Sequence, residues 1–270
     1  MSPSIGVIGL GRMAQALIEP LLASGSVEPD QVLAVVGRPE SAAALKQGVF
    51  ARCTIHAAAS ADSAEVLKAP LQLLAIKPQQ VELAAASFPA VEGSPLLVSV
   101  LAGVTLSRLQ RLFPSHRVVR AVPNTPALVG QGLTALAWGE NIFPSQRQKV
   151  QALFSGVGEV LQLPEEKLDA FLALTSSGPA FVALVAEAMA DGAVAAGLPR
   201  DLAHRLAHRT LAGSAALLDQ RQLHPATLKD MVTSPGGTTI AGVRALERGG
   251  LRSALMEAVI AAAERSRELA

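Results

Sequence analysis

The segment near the N-terminus that indicates the fold most strongly is Gly6-Val7-Ile8-Gly9-Leu10-Gly11-Arg12-Met13-Ala14. It follows the first predicted strand and opens the first predicted helix, and Gly9, Gly11 and Ala14 match the pattern G-x-G-x-x-G/A. In this context the first glycine permits a tight turn, the second lets the backbone approach a pyrophosphate, and the alanine lets the helix pack closely. A pyrophosphate would meet free N–H groups at the positive end of the helix. The pattern predicts a dinucleotide site, the alternative being a glycine-rich turn that binds nothing.

Short apolar runs alternate with helical stretches from the N-terminus to about residue 160. Such alternation predicts a mostly parallel sheet with helices on both faces. The apolar run Leu73-Leu74-Ala75-Ile76 fits a strand buried on both sides. The predicted strands cover residues 4–8, 32–36, 71–76, 96–100, 117–121, 133–137 and 158–163, and the predicted helices include residues 13–23 and 145–154.

The pattern changes after about Pro164, where alanine-rich helical runs follow one another without further strand patterns. Glycine and proline separate these runs, as expected where one helix closes and the next opens. The breaks are Ser177-Gly178-Pro179, Gly197-Leu198-Pro199, Ser234-Pro235-Gly236-Gly237 and Gly249-Gly250. The sequence therefore predicts an α/β fold, with a Rossmann-type, mostly parallel sheet domain over residues 1–163 and an all-α domain over residues 164–270.

Composition excludes several classes of protein. The chain has 270 residues, of which 50% are hydrophobic and 17% charged, and its formal net charge is +1. Disordered chains have lower hydrophobicity and a higher net charge than this chain. Proteins that bind nucleic acid by neutralising phosphates have a larger excess of Lys and Arg. The absence of tyrosine and the single tryptophan also argue against stacking on bases. Because the charged fraction lies below the usual value of about 25%, the chain has either a very large core or a surface hidden against another subunit.

Several features bear on the compartment. Cys53 is the only cysteine, so no intrachain disulfide can form, which fits a reducing compartment. The first six residues lack the basic and then apolar pattern of a signal peptide. The apolar residues 181–198 include Glu187 and Asp191, which favours a buried helix over a membrane span. We expect a cytoplasmic protein that binds neither membrane nor nucleic acid.

The end of the second strand bears on the choice of cofactor. It reads Val36-Gly37-Arg38-Pro39, without the carboxylate that usually binds the ribose 2′-OH of NAD. An arginine there suits the 2′-phosphate of NADPH, so NADPH is the predicted cofactor. Glu40 lies close enough to leave NADH possible, and Arg38 could instead be an ordinary solvated loop residue.

The sequence resembles the pyrroline-5-carboxylate reductase family over nearly its whole length. The most specific segment is Leu228-Lys229-Asp230-Met231-Val232-Thr233-Ser234-Pro235-Gly236-Gly237-Thr238-Thr239, followed by Ile240-Ala241-Gly242. Other matching segments are Gly9–Ala14, Ala75-Ile76-Lys77-Pro78, Ser99-Val100-Leu101-Ala102-Gly103 and Arg120-Ala121-Val122-Pro123-Asn124-Thr125-Pro126. The resemblance implies hydride transfer from a nicotinamide to the C=N carbon of a cyclic imine that bears a carboxylate, giving L-proline in the last step of proline biosynthesis.

Several residues at strand ends are expected to form the cofactor site. We interpret Ile76-Lys77-Pro78 as a cofactor wall, because ligands of open parallel sheets collect at strand carboxyl ends. Lys77 could otherwise be a plain surface lysine. Ala102 and Gly103 are small enough to let the nicotinamide lie close, and Asn124 is a polar group between two prolines. The full predicted cofactor set is Gly9, Leu10, Gly11, Arg12, Met13, Ala14, Arg38, Ile76, Lys77, Pro78, Ala102, Gly103 and Asn124.

The segment from Ser234 to Thr239 is expected to bind the substrate carboxylate. Its glycines expose backbone N–H groups and its threonines can open a helix, whose N-terminus favours anions. By resemblance Thr239 lies near the ring nitrogen as the catalytic residue, and Glu165 is a substrate contact whose charge favours the protonated imine. The predicted substrate set is Glu165, Ser234, Gly236, Gly237, Thr238 and Thr239. The alternatives are a plain helix cap for the threonines, and for Glu165 a favourable first-turn charge that Glu166 would supply equally well.

Other interpretations stay open. The fold could serve another imine reductase or a hydroxyacid dehydrogenase, and Ser176 and Phe181, which depart from the family pattern, leave room for a nucleotide sensor without turnover. His204 and His208 share one helix face but lack a third ligand, so no metal site is predicted. By resemblance the helical domain forms a homodimer, within a larger homo-oligomer such as a decamer.

Overall fold

The structure is a computed structural model that describes residues 4–87, 91 and 93–269. The first three residues, which belong to the stretch expected to lack a signal peptide, lie outside the described residues. The chain divides into two compact units. One contains the residues up to Ser176 together with those from Ala262 onward, and the other is Ser177–Ala261.

An eight-stranded sheet is the centre of the first unit. Its strands are β1 (Ile5–Ile8), β2 (Val32–Val36), β3 (Thr54–Ala57), β4 (Leu71–Leu74), β5 (Leu96–Ser99), β6 (Arg117–Val122), β7 (Gly132–Trp138) and β8 (Gly158–Gln162). Their order is β3-β2-β1-β4-β5-β6-β7-β8, and every neighbouring pair is parallel except β6 and β7. The predicted α/β class with a mostly parallel sheet is therefore confirmed.

One strand was not predicted. In β3 only Ile55 is buried, so this short strand lacks the apolar run that marks the central ones. It pairs with β2 alone, at the edge of the sheet. The predicted strand over residues 71–76 ends at Leu74, because the backbone beyond it turns toward a short 3₁₀ helix at Pro78–Gln80.

The helices lie between and after the strands. They are α1 (Arg12–Ala23), α2 (Pro39–Leu45), α3 (Val81–Ser87), α4 (Leu106–Leu112), α5 (Pro144–Ser155), α6 (Leu168–Thr175), α7 (Gly178–Ala195), α8 (Arg200–Gln220), α9 (Pro225–Met231), α10 (Thr238–Arg248) and α11 (Leu251–Glu268). Glycine and proline separate the later helices as predicted. Gly197 and Gly250, for instance, have positive φ angles of 106° and 74°.

Two hydrophobic layers cover the faces of the sheet. On one face Val7, Leu73 and Val119 pack in a cluster with α1 and α5, to which Ile18 and Phe154 contribute. On the other face Ile8, Leu74 and Val118 pack in a cluster with α4, to which Leu109 contributes. Because alternate residues of a strand point to opposite faces, strands covered on both sides are mostly apolar, as their sequences indicated, with Gln72, Ser99 and Arg120 as buried polar exceptions.

The predicted boundary between residues 163 and 164 coincides with the end of β8. By backbone contacts the first unit extends further, since it includes α6 and the last turns of α11. Two hydrogen bonds join α6 to the region after β6. The Asn124 side chain donates to the Thr175 carbonyl at 2.9 Å, and the Ser176 hydroxyl donates to the Pro123 carbonyl at 3.1 Å.

The second unit has a small core and a large exposed apolar surface. In α7 and α8 its most buried residues are alanines, namely Ala186, Ala190, Ala203 and Ala207. Larger side chains face outward, among them Val182, Leu184, Met189, Leu206, Met231, Val232, Ile240, Leu246, Met256 and Ile260. The low charge of the chain is therefore explained in part by apolar surface that the chain itself leaves uncovered.

The prediction that residues 181–198 form a buried helix is wrong for the single chain. Among the described residues, one helical stretch, Glu165–Ala195, is long and apolar enough by length and composition to cross a membrane. Only 11% of its most apolar window is buried. A helix with so little of its apolar surface covered needs a partner, because exposed apolar surface of this extent marks an interaction site.

Candidate functional site

The glycine-rich turn after β1 opens into a cleft at the carboxyl edge of the sheet. The strand order reverses between β1 and β4, and ligands of open α/β sheets bind at such a reversal. The cleft holds about 880 Å³. Its lining includes Gly9, Leu10, Gly11, Arg12, Gln15, Val36, Gly37, Ser41, Ser63, Ile76, Lys77 and Gln80. A cleft of this size at this place can hold a dinucleotide.

Gly9 and Gly11 are glycines for different reasons. Gly9 has a φ of +91°, and a Cβ there would lie 2.8 Å from the Ala75 carbonyl oxygen, so the chain itself requires glycine. Gly11 has an ordinary φ of −80°, and no heavy atom lies within 4 Å of the Cβ that it lacks. Nothing in the described chain explains why residue 11 has no side chain. The open space fits a group that approaches the backbone from outside, as a pyrophosphate does.

Helix α1 points an uncapped N-terminus into the same cleft. No side chain bonds to its first N–H groups, and its first turn contains no acidic residue. Free N–H groups and the helix dipole together favour an anion. Ala14 is fully buried, which lets α1 pack closely on the sheet as the motif predicted.

The region after β2 contains a cation suited to a phosphate, but this cation does not line the cleft. Arg38 is the N-cap residue of α2 and is exposed, and it forms no ion pair within the described residues. It lies outside the lining of the cleft, whereas its neighbours Gly37 and Ser41 are part of it. The guanidinium is thus free to turn toward a ligand beside Ser41.

Two of the predicted cofactor residues just after β4 line the cleft, whereas those after β5 do not. Ile76 and Lys77 line the cleft, and Lys77 is exposed at the start of the 3₁₀ helix that contains Pro78. Ala102 is exposed in the loop after β5. Gly103 is buried, and its φ of +72° and the Leu269 backbone 2.9 Å from its missing Cβ explain the glycine without a cofactor.

Asn124 has a structural role that the sequence did not reveal. Its side chain is 4% exposed and both of its polar atoms have partners. The amide donates to the Thr175 carbonyl at 2.9 Å, and the amide oxygen accepts from the Leu133 N–H at 2.8 Å. The polar group that we predicted is present, but its side chain is already hydrogen-bonded to β7 and α6.

Glu165 is bound by groups of its own chain. Its Oε1 accepts a hydrogen bond from the Leu106 N–H at 2.7 Å and another from Arg120 Nη1 at 3.1 Å. Arg120 lies in β6 with its side chain 3% exposed, and its Nη2 is 3.7 Å from Asp169 Oδ1. Glu165 and Glu166 are therefore distinguishable, because Glu166 is exposed. The sequence signal for this cluster was a cation, Arg120, between apolar residues in the interior of β6.

The predicted substrate loop lies in the second unit. Gly236 has a φ of +68°, and a Cβ on Gly237 would collide with the Ser234 side chain. Helix α10 begins at Thr238, with no side-chain cap and no acidic residue in its first turn. Ser234 and Thr238 are exposed and Thr239 is half-buried. The Gly237 N–H donates to the Ser234 carbonyl at 3.1 Å, so the predicted exposure of the glycine N–H groups does not hold there. The uncapped first turn of α10 instead presents its backbone N–H groups beside the two threonine hydroxyls, an arrangement that can hold a carboxylate.

The histidines form no metal site in the part of the chain that the structure describes. His204 and His208 lie 6.3 Å apart by ring centroids on α8. Groups of three or more possible metal ligands do not occur among the described residues. His224 caps α9 by accepting from the Ala226 N–H at 3.2 Å.

Known proteins match the sequence of this chain over its full length. It is 46% identical to the pyrroline-5-carboxylate reductase of Synechocystis over 270 residues, which cover 100% of the chain and 99% of that protein. The chain belongs to the pyrroline-5-carboxylate reductase family. The family's enzyme from Arabidopsis thaliana is 40% identical over 98% of the chain and 95% of its own length.

Domain models and solved structures place family features along the chain. The model for pyrroline-5-carboxylate reductase dimerisation matches residues 165–269, and a model for NADP oxidoreductases, coenzyme F420-dependent, matches residues 4–103. The NADP-bound pyrroline carboxylate reductase of Plasmodium falciparum has a TM-score of 0.89 at 26% identity, over 99% of this chain and 98% of that one. The Streptococcus pyogenes enzyme has a TM-score of 0.87 at 27% identity, over 98% of both chains.

Sequence reasoning missed part of the cleft. Gln15, Ser41, Ser63 and Gln80 line it, but none belongs to a fingerprint. Ser41 and Gln80 could have been found from position alone, since each lies within a turn or two of a strand's carboxyl end. Ser63 could not, because it lies in a 3₁₀ helix, Ala61–Lys68, that follows the unpredicted strand β3.

Proposed function

We propose that the chain reduces 1-pyrroline-5-carboxylate to L-proline with NADPH. The observation that carries this proposal is the open backbone of Gly11 in the cleft, in a chain related over its full length to reductases of that name. In the reaction a hydride reaches the carbon of the C=N bond and a proton reaches the nitrogen. NADPH supplies the hydride when bound.

The residues around the cleft fit the cofactor. Gly9 shapes the turn, Gly11 leaves room for the pyrophosphate, and the first N–H groups of α1 face it. Leu10, Arg12 and Met13 complete this segment. Arg38 binds the 2′-phosphate from the start of α2, and NADH can serve as a weaker substitute. Ile76 and Lys77 form the far wall. Pro78, Ala102, Gly103 and Asn124 do not line the cleft; we expect Pro78 and Ala102 to meet the nicotinamide end once it is bound, with Gly103 and Asn124 holding the neighbouring backbone through Leu269 and Thr175.

The loop from Ser234 to Thr239 binds the imine. Its free N–H groups and the positive end of α10 hold the substrate carboxylate, and the glycines keep the approach clear. Thr238 contributes a second hydroxyl to this contact. The Thr239 hydroxyl hydrogen-bonds the ring nitrogen and either donates the proton or relays it from water. Because the hydride would come from the cofactor, the residues of the chain need only to orient the two ligands and deliver a proton.

The apolar surface of the second unit binds a second copy of the chain. The dimerisation family model covers this part, and the exposed leucines and methionines supply the contact area. We propose a homodimer that assembles further into a ring such as a decamer, in the cytoplasm, with no membrane or nucleic-acid partner. Cover by a second copy accounts for the apolar stretch Glu165–Ala195 without invoking lipid.

The direct experiment compares Thr239→Ala with Thr227→Ala, since Thr227 is an exposed threonine of α9 outside the loop. Loss of the hydroxyl should lower kcat by about 10²-fold, a typical contribution of acid–base catalysis. NADPH binding should be unchanged in both variants. The proposal fails if the purified wild-type protein, given the cyclic imine, oxidises neither NADPH nor NADH.

A further inference from the structure

A single carboxylate oxygen joins the loop after β5 to a buried cation. Glu165 Oε1 accepts from the Leu106 N–H at 2.7 Å and from Arg120 Nη1 at 3.1 Å. Leu106 is the first residue of α4 and follows the loop that contains Ala102 and Gly103. We propose that Glu165, supported by Arg120, is a positioning residue for this loop and not a substrate contact.

The buried cation keeps Glu165 in place. The Arg120 side chain is 3% exposed, and its Nε and Nη2 have no hydrogen-bond partner within the described residues. Two carboxylates balance its charge, Glu165 at 3.1 Å and Asp169 at 3.7 Å. If Glu165 turned away toward a ligand, Arg120 would lose the one anion among the described residues that accepts a hydrogen bond from it, and a poorly compensated buried charge is unfavourable. Glu165 is therefore not free to pair with the imine.

The other side of the loop is held by the last residues of the chain. The backbone of Leu269 lies 2.9 Å from the position of a Cβ on Gly103. Ser266, one turn earlier, donates its hydroxyl to Asp169 Oδ1 at 2.7 Å. Asp169 is also the second anion beside Arg120. The same charged cluster thus supports the loop at Leu106 and, through Ser266, the segment that packs on Gly103.

The position of this loop gives the cluster a role in the reaction. The loop leaves the carboxyl end of β5, next to β4 in the sheet, where the nicotinamide end of an extended dinucleotide is expected. This step rests on the proposed function. A loop displaced by an ångström or less misaligns the reacting atoms and slows the hydride step, with little effect on the affinity of the remote adenosine end.

The first test compares Glu165→Ala, Glu165→Gln and the exposed neighbour Glu166→Gln. Glutamine keeps an oxygen that can accept from the Leu106 N–H and from Arg120 Nη1, and Asp169 still balances the Arg120 charge. It should therefore rescue most of the activity, whereas Glu165→Ala should lower kcat on the order of 10²-fold. The KM for the imine should change little in both. A large increase of that KM in both variants would overturn the proposal, because a substrate contact depends on the charge that both variants remove. Glu166→Gln should match the wild type.

The second test removes the hydrogen bond and keeps the ion pair. Leu106→Pro deletes the N–H donor at the first helical position, where proline is well tolerated. Leu106→Ala is the matched control, since it loses the same packing and keeps the donor. Leu106→Pro should lower kcat at least tenfold more than Leu106→Ala, a factor within the range of about 10²-fold for such misplacement. Equal kcat values would overturn the proposal.

A measurement without substrate separates this proposal from the proposed function. Amide hydrogen exchange over residues 101–105 should be faster in Glu165→Ala and Leu106→Pro than in Glu165→Gln and Leu106→Ala. Because exchange is measured without substrate, the result does not depend on whether the protein reduces the imine. Unchanged exchange in Glu165→Ala, with the fold intact by circular dichroism, would show that Glu165 does not hold the loop.

Discussion

The backbone at Gly9 lies directly against the Ala75 carbonyl, so a Cβ on Gly9 would be 2.8 Å from that oxygen. Gly9 also donates its N–H to the Val35 carbonyl at 2.8 Å, which ties the turn to a second strand. Two residues later, Gly11 has no such neighbour and an ordinary φ. One glycine of the fingerprint therefore serves the fold and the other leaves room for a ligand.

This difference predicts opposite effects of alanine at the two positions. Gly9→Ala should lower the free energy of unfolding by about 2–4 kcal/mol, since it adds backbone strain and a collision with backbone atoms. Gly11→Ala should cost less than about 1 kcal/mol of stability and should weaken NADPH binding, because its Cβ occupies the pyrophosphate space. Urea unfolding and fluorescence titration with NADPH measure the two effects. Tight NADPH binding by Gly11→Ala would contradict this assignment.

Arg38 should determine the preference between the two nicotinamide cofactors. Arg38→Gln should reduce kcat/KM for NADPH by about 10- to 100-fold, the value of a lost charge-assisted hydrogen bond. The kcat/KM for NADH should stay constant, since NADH has no 2′-phosphate, and it serves as the internal control. Equal losses with both cofactors would mean that Arg38 does not read the 2′-phosphate.

The apolar surface of α7 should be a contact between copies of the chain. Leu184 is 65% exposed in the single chain, so Leu184→Glu should not disturb its fold. If a second copy covers the position, an unpaired charge there should raise the dissociation constant by roughly 10²-fold or more. Light scattering at micromolar concentration measures the mass, with Val49→Glu, at a 50% exposed position of the first unit, as the control. A wild-type protein that is already monomeric would refute the interface.

His116 should make the stability depend on pH. Burial lowers the pKa of this imidazole below its ordinary value, and its ring Nε2 lies 3.1 Å from the buried Gln72 side chain. Between the lowered pKa and about pH 6.5 the unfolded chain binds more protons. This contribution is fully present above that range and is lost as the pH falls through it. Urea midpoints should therefore fall on acidification, and His116→Gln should reduce the slope, whereas an unchanged slope would contradict the prediction.

The sheet and the cofactor turn could be predicted because both depend on local patterns. Seven strands, the alternation with helices and the fingerprint at Gly9 and Gly11 are visible in short windows of sequence. The strand β3 escaped prediction because Ile55 alone carries its apolar signal. The antiparallel direction of β7 also has no signal in the order of apolar runs.

The roles of Gly103, Asn124 and Glu165 could not be predicted because they depend on distant partners. Gly103 packs on Leu269, and Asn124 bonds to Thr175. Glu165 meets Arg120, a residue whose charge within an apolar strand was present in the sequence but had no assigned partner. Residue type and position suggested cofactor contacts for Gly103 and Asn124, and resemblance suggested a substrate contact for Glu165, whereas the structure gives each a partner within the chain.

The most direct test of the central claim follows the hydride itself. The wild-type protein is given 1-pyrroline-5-carboxylate and NADPH that carries deuterium at the transferring position of the nicotinamide, and the product is analysed by mass spectrometry and chiral chromatography. We expect L-proline with a single deuterium on the ring carbon that was double-bonded to nitrogen. Unlabelled proline, or cofactor oxidation without proline, would contradict it.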